Sequence, residues 1–287
     1  MRLGLVHVGG APDFAVREAD GPWVPLASLG LHAPDTAAAI AMATEARAAL
    51  EAGHGRALTA PVRLGCPVVR PGKILAIGLN YLDHIRETGA TQPERPLVFA
   101  KYPSSLNGPF DPVVLEPDCT EQLDYEAELA VVIGRRTRRV SVEQALDVVF
   151  GYAVANDVSA RDWQVRDGQF SRSKSMDTFC PIGPWITTAD QVGDPQALGI
   201  RSEVNGEKRQ DSSTGQMLYG VVELLAFLST TMTLEPGDVV LTGTPPGVGF
   251  GRKPPVFLRP GDVVACEVEG LGRIENKVVG PAGEGDR

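Results

Sequence analysis

Residues 124–134, with the sequence DYEAELAVVIG, decide the fold and contain the first candidate site. Side chains two apart in a strand point to the same face, so Glu126 and Glu128 are expected side by side. The run at 129–133 is apolar on both faces, which is typical of a central strand. Two carboxylates at the end of such a strand repel each other unless a cation lies between them. A solvated strand edge with two outward glutamates is the alternative.

The sequence after residue 73 predicts a strand-rich fold. Short apolar runs bounded by Gly, Pro, Asp and Asn predict strands at KILAIGLN, LVFAK, ELAVVIG, GYAVANDV, IRSEVNG, VVLTGT and VVACEVEG. Helices are predicted at YGVVELLAFLSTTM and at SVEQALDVV, where Ser141 is a candidate cap. Strands and helices do not alternate regularly, which argues against a doubly wound sheet. We expect a mixed α/β fold, mostly β, with its strands curled into a roll.

The first 70 residues have a different pattern of predicted secondary structure from the strand-rich remainder of the chain. MRLGLVHV predicts a short strand, and PDTAAAIAMATEARAAL predicts a helix that begins near Pro34. The stretch APVRLGCPVVRPGK that follows is interrupted by prolines and resembles a linker. The predicted organisation is a small N-terminal α+β segment at 1–70, a catalytic domain at 71–280 and a flexible tail at 281–287.

Composition excludes several classes of partner. The formal net charge of −9 over 287 residues argues against non-specific nucleic-acid binding, which needs a basic surface. The four cysteines form no C-x-x-C pair and are expected to be reduced thiols. There is no signal peptide and no stretch of about 18 apolar residues, so we expect a cytoplasmic protein without a membrane partner.

A third carboxylate completes a candidate metal site. In GYAVANDVSARDWQ, Asp157 ends an apolar strand. Taken alone it is typical of a helix cap or a turn, but with Glu126 and Glu128 it makes three oxygen donors. Oxygen ligands without His or Cys favour Mg²⁺, Mn²⁺ or Ca²⁺ over zinc.

Three further segments contain candidate chemistry. In GLNYLDHIRETG, His84 and Glu87 are three apart and share one face of a predicted helical turn. A histidine oriented by a carboxylate is a usable general base. The alternative is an exposed helix on which the two residues are neighbours by chance. In SRSKSMDTFCPIGP, Lys174 precedes a turn predicted from its Pro and Gly content. This lysine is either a group that holds a carboxylate or enolate, or a surface lysine. The strand end LTGTPPGVG favours close backbone approach to a ligand, although a plain turn explains it equally well.

The order of these segments resembles the fumarylacetoacetate hydrolase family over residues 73–279. The matching pieces are GLNYLDHIRE, VFAKYPSSLNGP, DYEAELAVVIG, GYAVANDVSARDWQ, SKSMDTFCPIGP, VNGEKRQDSST, LTGTPPGVG and IENKVV. The resemblance is closest to the short members, which have a brief N-terminal segment. It implies a β-roll catalytic domain and a homodimer.

The resemblance also implies roles for particular residues. It implies that Glu126, Glu128 and Asp157 bind Mg²⁺ or Mn²⁺, without an organic cofactor. It implies that His84 and Glu87 form a catalytic dyad on a lid segment.

The remaining implied residues face the substrate. Lys174 is implied as a catalytic residue, and Arg161, Gln164 and Thr244 as substrate-binding residues, with Thr244 near the substrate carboxylate.

The expected function is metal-dependent hydrolysis of a carbon–carbon bond in a small 2-oxo acid of the acylpyruvate type, through a metal-bound enolate. The enzymatic alternatives are oxaloacetate decarboxylation, keto–enol tautomerisation, and isomerisation of a 2-hydroxyhepta-2,4-diene-1,7-dioate type of substrate. The non-enzymatic alternative is an inactive ligand-binding homologue. The longer, name-giving hydrolase has a further carboxylate ligand with no counterpart in this sequence, which makes fumarylacetoacetate itself an unexpected substrate.

Overall fold

The computed structural model describes residues 1–59, 61–116 and 118–280, so the predicted tail at 281–287 lies outside the described residues. Within them the α-helices are α1 Thr36–Glu51, α2 Leu82–Thr88, α3 Arg161–Asp167 and α4 Val221–Thr231. Short 3₁₀ turns are at Leu26–Leu29, Pro103–Ser105, Val142–Val148, Ala189–Gln191, Thr214–Gln216 and Gly249–Gly251. No helix in these ranges is both long enough and apolar enough to span a bilayer.

Strands make up most of the regular structure. In chain order they are β1 Arg2–Val8, β2 Ala11–Arg17, β3 Val24–Pro25, β4 Arg63–Gly65, β5 Ile74–Gly78, β6 Leu97–Lys101, β7 Leu106–Asn107, β8 Val113–Val114, β9 Leu123–Asp124, β10 Ala127–Ile133, β11 Val149–Asn156, β12 Ser159–Ala160, β13 Cys180–Thr188, β14 Gly199–Val204, β15 Glu207–Ser213, β16 Val239–Leu241, β17 Val263–Val268 and β18 Gly272–Val279.

These strands form one large sheet and two smaller ones. The large sheet runs β3-β2-β1-β13-β11-β10-β16-β5-β6, and β4 and β7 pair with β1 and β13. A second sheet runs β15-β14-β17-β18-β8, and β9 pairs with β12. The expectation of a mixed, mostly β fold is confirmed.

Strand β10 is buried on both faces, as the apolar run predicted. Leu129 and Val131 pack into a core shared with the five-stranded sheet and α4. Ala130 and Val132 point the other way, into a core shared with α1 and β1. The period of two along a strand separates these sets. This double burial holds the residues at the start of β10 inside the protein.

The N-terminal residues are part of the large sheet. Strand β1 pairs antiparallel with β13, with Arg2 opposite Thr187. Helix α1 begins after Asp35, whose carboxylate accepts the N–H of Ala38, and so close to the predicted Pro34. The boundary at residue 70 stays a prediction, but the segment before it shares hydrogen bonds with the rest of the chain.

Two local expectations need correction. The helix predicted at SVEQALDVV is a seven-residue 3₁₀ helix, Val142–Val148, and Ser141 makes no capping bond. Its buried residues Ala145 and Val148 are three apart, which suits a helix with three residues per turn. CPIGP opens the nine-residue strand β13 instead of a turn. Pro184 is tolerated because the β11–β13 register shifts between Tyr152 and Val154, which lie opposite Thr187 and Gly183.

Candidate functional site

The three predicted carboxylates meet at the ends of β10 and β11. Glu126 precedes β10, Glu128 lies within it, and Asp157 directly follows β11. The two strands are antiparallel neighbours, and the N–H of Asp157 donates to the carbonyl of Glu126 at 2.9 Å. One oxygen from each carboxylate lies within 4.8 Å of the others, and all three side chains are buried. We call these three residues the carboxylate trio.

Two buried lysines hold parts of this trio. Lys174 Nζ donates to Glu126 Oε2 at 2.8 Å, to Asp157 Oδ2 at 2.7 Å and to Ser159 Oγ at 2.8 Å. Lys101 Nζ, at the end of β6, donates to Asp157 Oδ1 at 2.7 Å. Lys174 is therefore a buried part of the site and not a surface lysine.

The carboxylates of the trio differ in their protonation preference. Burial opposes the charge of Glu126, but Lys174 and Arg161 outweigh it and lower its pKa to about 2. Burial, together with the charges of Asp157 and Glu126, raises the pKa of Glu128 well above its ordinary value. Glu128 Oε2 accepts a hydrogen bond from the backbone N–H of Gly243 at 2.8 Å. Glu128 is thus the member that lacks a cation among the described residues.

His84 and Glu87 form the expected pair on helix α2. Nδ1 of His84 lies 3.0 Å from Glu87 Oε2, and the imidazole is largely buried. The other oxygen of Glu87 accepts the backbone N–H of Gly247 at 2.9 Å. The carboxylate therefore fixes the orientation of the ring, which a general base requires.

Arg161 is held by three side chains at the start of α3. Its Nε donates to Asp124 Oδ2 at 2.9 Å, and its Nη1 donates to Gln164 Oε1 at 3.0 Å. Its Nη2 forms an ion pair with Glu126 Oε1 at 2.6 Å. Asp124 also accepts the backbone N–H groups of Gly249 and Phe250, at 2.7 and 2.9 Å. A buried acid thus anchors both the arginine and the neighbouring loop.

Thr244 is fixed by a closed ring of hydrogen bonds. Its hydroxyl donates to the carbonyl of Ala127 at 2.9 Å and accepts from Gln210 Nε2 at 2.8 Å. Gln210 Oε1 in turn accepts the N–H of Ala127 at 3.0 Å. A hydroxyl has one proton to donate, and here the carbonyl takes it. The Thr244 side chain therefore offers a ligand only its remaining lone pair.

One small cavity collects these groups. It has a volume of about 120 Å³ and is lined by His84, Glu126, Arg161, Gln164, Lys174 and Thr244 together with the backbone and apolar side chains of β5 and its neighbours. The predicted catalytic and substrate-binding residues are thus brought together at one place, with Glu87 behind His84. Their roles stay predictions.

The chemistry of the donor set fits a hard divalent cation. Asp124 and Arg161 neutralise each other, and Lys101 and Lys174 oppose the carboxylate trio, so the trio carries one negative charge in excess once Glu128 is ionised. A divalent ion would convert this excess into one positive charge, which the carboxylate of a 2-oxo acid would neutralise. Oxygen donors alone favour Mg²⁺ or Mn²⁺.

Sequence reasoning missed three buried polar residues of the site, namely Lys101, Asp124 and Gln210. A weak signal existed for Lys101, because a lysine that closes the apolar strand LVFAK needs a buried partner. No local signal identifies that partner, Asp157, which is 56 residues away.

Comparison with known proteins agrees with the fold. The model of the fumarylacetoacetate hydrolase C-terminal family matches residues 73–279. A mitochondrial oxaloacetate tautomerase of Xenopus laevis is 48% identical over 236 residues, which cover 82% of this chain and 74% of the relative.

Two solved structures are similar over nearly the whole chain. A fumarylacetoacetate hydrolase from Exiguobacterium antarcticum has a TM-score of 0.89 at 42% identity and covers 98% of this chain and 100% of its own. A maleylpyruvate hydrolase from Sphingobium sp. SYK-6, in complex with manganese(II) and pyruvate, has a TM-score of 0.81 at 35% identity with the same coverage. The family predicted from the ordered motifs is confirmed: this chain belongs to the fumarylacetoacetate hydrolase family.

Proposed function

We propose that this chain is a Mg²⁺- or Mn²⁺-dependent enzyme that converts a small 2-oxo acid through its enolate. The observation that carries the proposal is one cavity that brings Glu126 and Lys174 together with His84, which Glu87 orients. Glu128 and Asp157 complete the donor set of the trio. A divalent ion held there would supply Lewis-acid stabilisation of negative charge on the substrate oxygens.

The chain's own residues supply the proton transfers and further charge stabilisation. His84 accepts a proton from C3 of the 2-oxo acid, which leaves the negative charge on the enolate oxygen. Glu87 stabilises the imidazolium that results. Lys174, whose pKa is raised by Asp157 and Glu126 against the effect of burial, stays protonated and stabilises the charge of the enolate. His84 then delivers the proton to the enolate oxygen, which gives the enol.

The reaction we propose first is keto–enol tautomerisation of a 2-oxo diacid of the oxaloacetate type. It needs a base that moves one proton between C3 and the oxygen, and the cavity holds such a base in His84. The similarity to the Xenopus laevis oxaloacetate tautomerase supports this choice. Isomerisation of a 2-oxo diacid starts from the same enolate, and decarboxylation forms the enolate of pyruvate as CO₂ leaves the keto acid, so both are alternatives at this site.

Hydrolysis of an acylpyruvate, the function expected from the sequence, is the second candidate. The His84–Glu87 pair is arranged to take a proton from water, which would attack the distal carbonyl and cleave the bond to C3. The electrons of that bond pass to C3, so pyruvate leaves as its enolate and is then protonated. The similarity to a maleylpyruvate hydrolase solved with pyruvate supports this candidate.

One substrate panel separates the two candidates. Oxaloacetate enol is followed by its ultraviolet absorbance, and cleavage of acylpyruvates by pyruvate release, each with Mg²⁺, Mn²⁺ or EDTA. We expect metal-dependent turnover that His84→Ala abolishes and the exposed control His32→Ala preserves. A rate that is equal in EDTA, or equal in the His84 variant, would contradict the proposal. Binding of pyruvate and metal without any turnover would favour the inactive homologue.

Assembly and location are proposed with the function. We propose a homodimer, which sedimentation equilibrium tests directly, and a cytoplasmic protein, which fractionation of the source cell tests.

A further inference from the structure

A second cavity continues from the one that holds the carboxylate trio. It has a volume of about 280 Å³ and shares Leu79, His84, Arg161, Gln164 and Phe170 with the smaller one. We call the smaller cavity the inner lobe and this continuation the outer lobe. His84 lines both, so a ligand that reaches past the imidazole from the inner lobe enters the outer one.

The outer lobe is apolar. Beyond the shared residues it is lined by Thr88, Ala90, Val165, Val248 and Phe250. Val165 and Phe250 are 72% and 48% exposed and line the same cavity, so they form a contiguous apolar patch. The Phe250 ring centre lies 6.0 Å from the guanidinium carbon of Arg161, so this ring stands at the boundary between the lobes.

The positive charge available in the outer lobe is already balanced by buried carboxylates, because Arg161 is paired with both Asp124 and Glu126. Among the described residues that line it, the charged or titratable ones are His84 and Arg161. Each of the guanidinium nitrogens Nε, Nη1 and Nη2 of Arg161 already faces Asp124, Gln164 or Glu126. His84 is paired with Glu87. A carboxylate placed beyond His84 would lose water and would have to compete with Asp124 and Glu126 for a single guanidinium, which is unfavourable.

We propose that the outer lobe binds an uncharged, apolar substituent on the far side of the 2-oxo acid. This inference rests on the proposed function, which places the 2-oxo acid head group in the inner lobe. It extends the substrate class beyond compact acids such as oxaloacetate to 2-oxo acids with a hydrocarbon chain. Val165 and Phe250 are then specificity-determining residues that do not touch the reacting atoms.

The test is calorimetric binding of a homologous series in the presence of Mg²⁺. The probes are pyruvate and straight-chain 2-oxo acids from four to eight carbons, with 2-oxoglutarate as the acid that ends in a charge. Burial of one methylene contributes about 0.8 kcal/mol, so the dissociation constant is expected to fall about fourfold per added carbon over the first few carbons. We expect 2-oxoglutarate to bind more weakly than 2-oxohexanoate.

Matched variants separate the lobe from general apolar surface. Val165→Asp and Phe250→Ala are expected to flatten the dependence on chain length. Val142→Asp and Phe227→Ala change residues that are 45% and 39% exposed elsewhere, and they are expected to preserve it.

The outcomes separate this inference from the proposed function. If pyruvate does not bind with Mg²⁺, the proposed function fails. If pyruvate binds but chain length has no effect, or if the two lobe variants keep the full effect, the apolar substituent is wrong and the proposed function stands.

Discussion

Glu87 accepts the backbone N–H of Gly247 at 2.9 Å, so the helix that carries His84 is tied to the loop that carries Thr244. The same carboxylate orients the imidazole through its second oxygen, 3.0 Å from Nδ1 of His84. One side chain therefore links the proposed base to the wall of the substrate cavity.

Replacing this carboxylate with a neutral isostere tests the link. Glu87→Gln keeps the size of the side chain but removes the charge that stabilises the imidazolium. We expect kcat to fall by about 10²- to 10⁴-fold, with a smaller change in KM, because the loss is felt when His84 is protonated. Steady-state kinetics on the active substrate of the panel measures both constants. The exposed Glu94→Gln serves as control. If KM rises by the same factor while kcat is unchanged, Glu87 only shapes the binding pocket.

Glu128 provides the test of the metal site. In the Glu128→Gln variant the trio loses the carboxylate that has no cation partner among the described residues. We expect the metal-free variant to be at least as stable as the parent, because it no longer buries a carboxyl group whose ionisation the site opposes. We also expect it to lose the rise in melting temperature that Mg²⁺ or Mn²⁺ gives the parent. At 100 times Kd that rise corresponds to about 2.7 kcal/mol.

Scanning calorimetry with and without metal measures both effects. Glu143→Gln, at an exposed position, is the control and should keep the full metal response. A Glu128→Gln variant that still responds like the parent would move the metal site away from the trio.

Much of the site was predictable because its key spacings are local. Glu126 and Glu128 are two apart at a strand, and His84 and Glu87 are three apart on a helix. Each pair therefore shares a face for reasons of backbone geometry alone. The apolar run after Glu128 predicted a central strand, and β10 is buried on both faces.

The unpredicted parts depend on contacts between distant segments. Lys101 meets Asp157 and Gln210 meets Thr244 because separate strands are brought side by side, which no single stretch encodes. Strand β13 was missed for a different reason, because Pro181 and Pro184 lower strand propensity. The irregular pairing of β13 with β11 accommodates Pro184.

Because β10 is buried on both faces, truncating one of its side chains is expected to lower the free energy of unfolding. Leu129→Ala removes a fully buried side chain beneath the trio and is expected to lower the free energy of unfolding by about 2–5 kcal/mol. The exposed Leu146→Ala should change it by less than about 0.5 kcal/mol. Urea unfolding measures both, and a loss below 1 kcal/mol at Leu129 would mean that the core closes around the missing atoms.

A surface pair between α1 and the residue after Ala189 gives a pH prediction. Arg47 makes two hydrogen bonds to Asp190, at 2.9 and 3.0 Å, and these lower the pKa of that aspartate. The contribution of this pair to the free energy of unfolding is therefore fully present above the pKa of about 3.9 that the aspartate has in the unfolded chain. It is lost progressively as the pH falls below that value. Because the pair is partly exposed, we expect it to be worth less than about 1 kcal/mol.

The measurement compares Arg47→Met with the parent chain between pH 7 and pH 3. The difference in unfolding free energy should shrink in acid, and the exposed Arg95→Met should show little difference at either pH. A difference that stays constant down to pH 3 would assign the effect of Arg47 to the packing of its aliphatic stem.

Gln210 belongs to the five-stranded sheet, yet its hydrogen bonds to Ala127 and Thr244 hold the substrate side of the site. The walls of the inner lobe therefore exist only while the two sheets are docked. A ligand that fills the lobe acts as a clamp between them, since part of its binding free energy opposes their separation. Amide protons of β14 and β15, the strands that reach the site through Gln210, would then exchange more slowly in the bound protein.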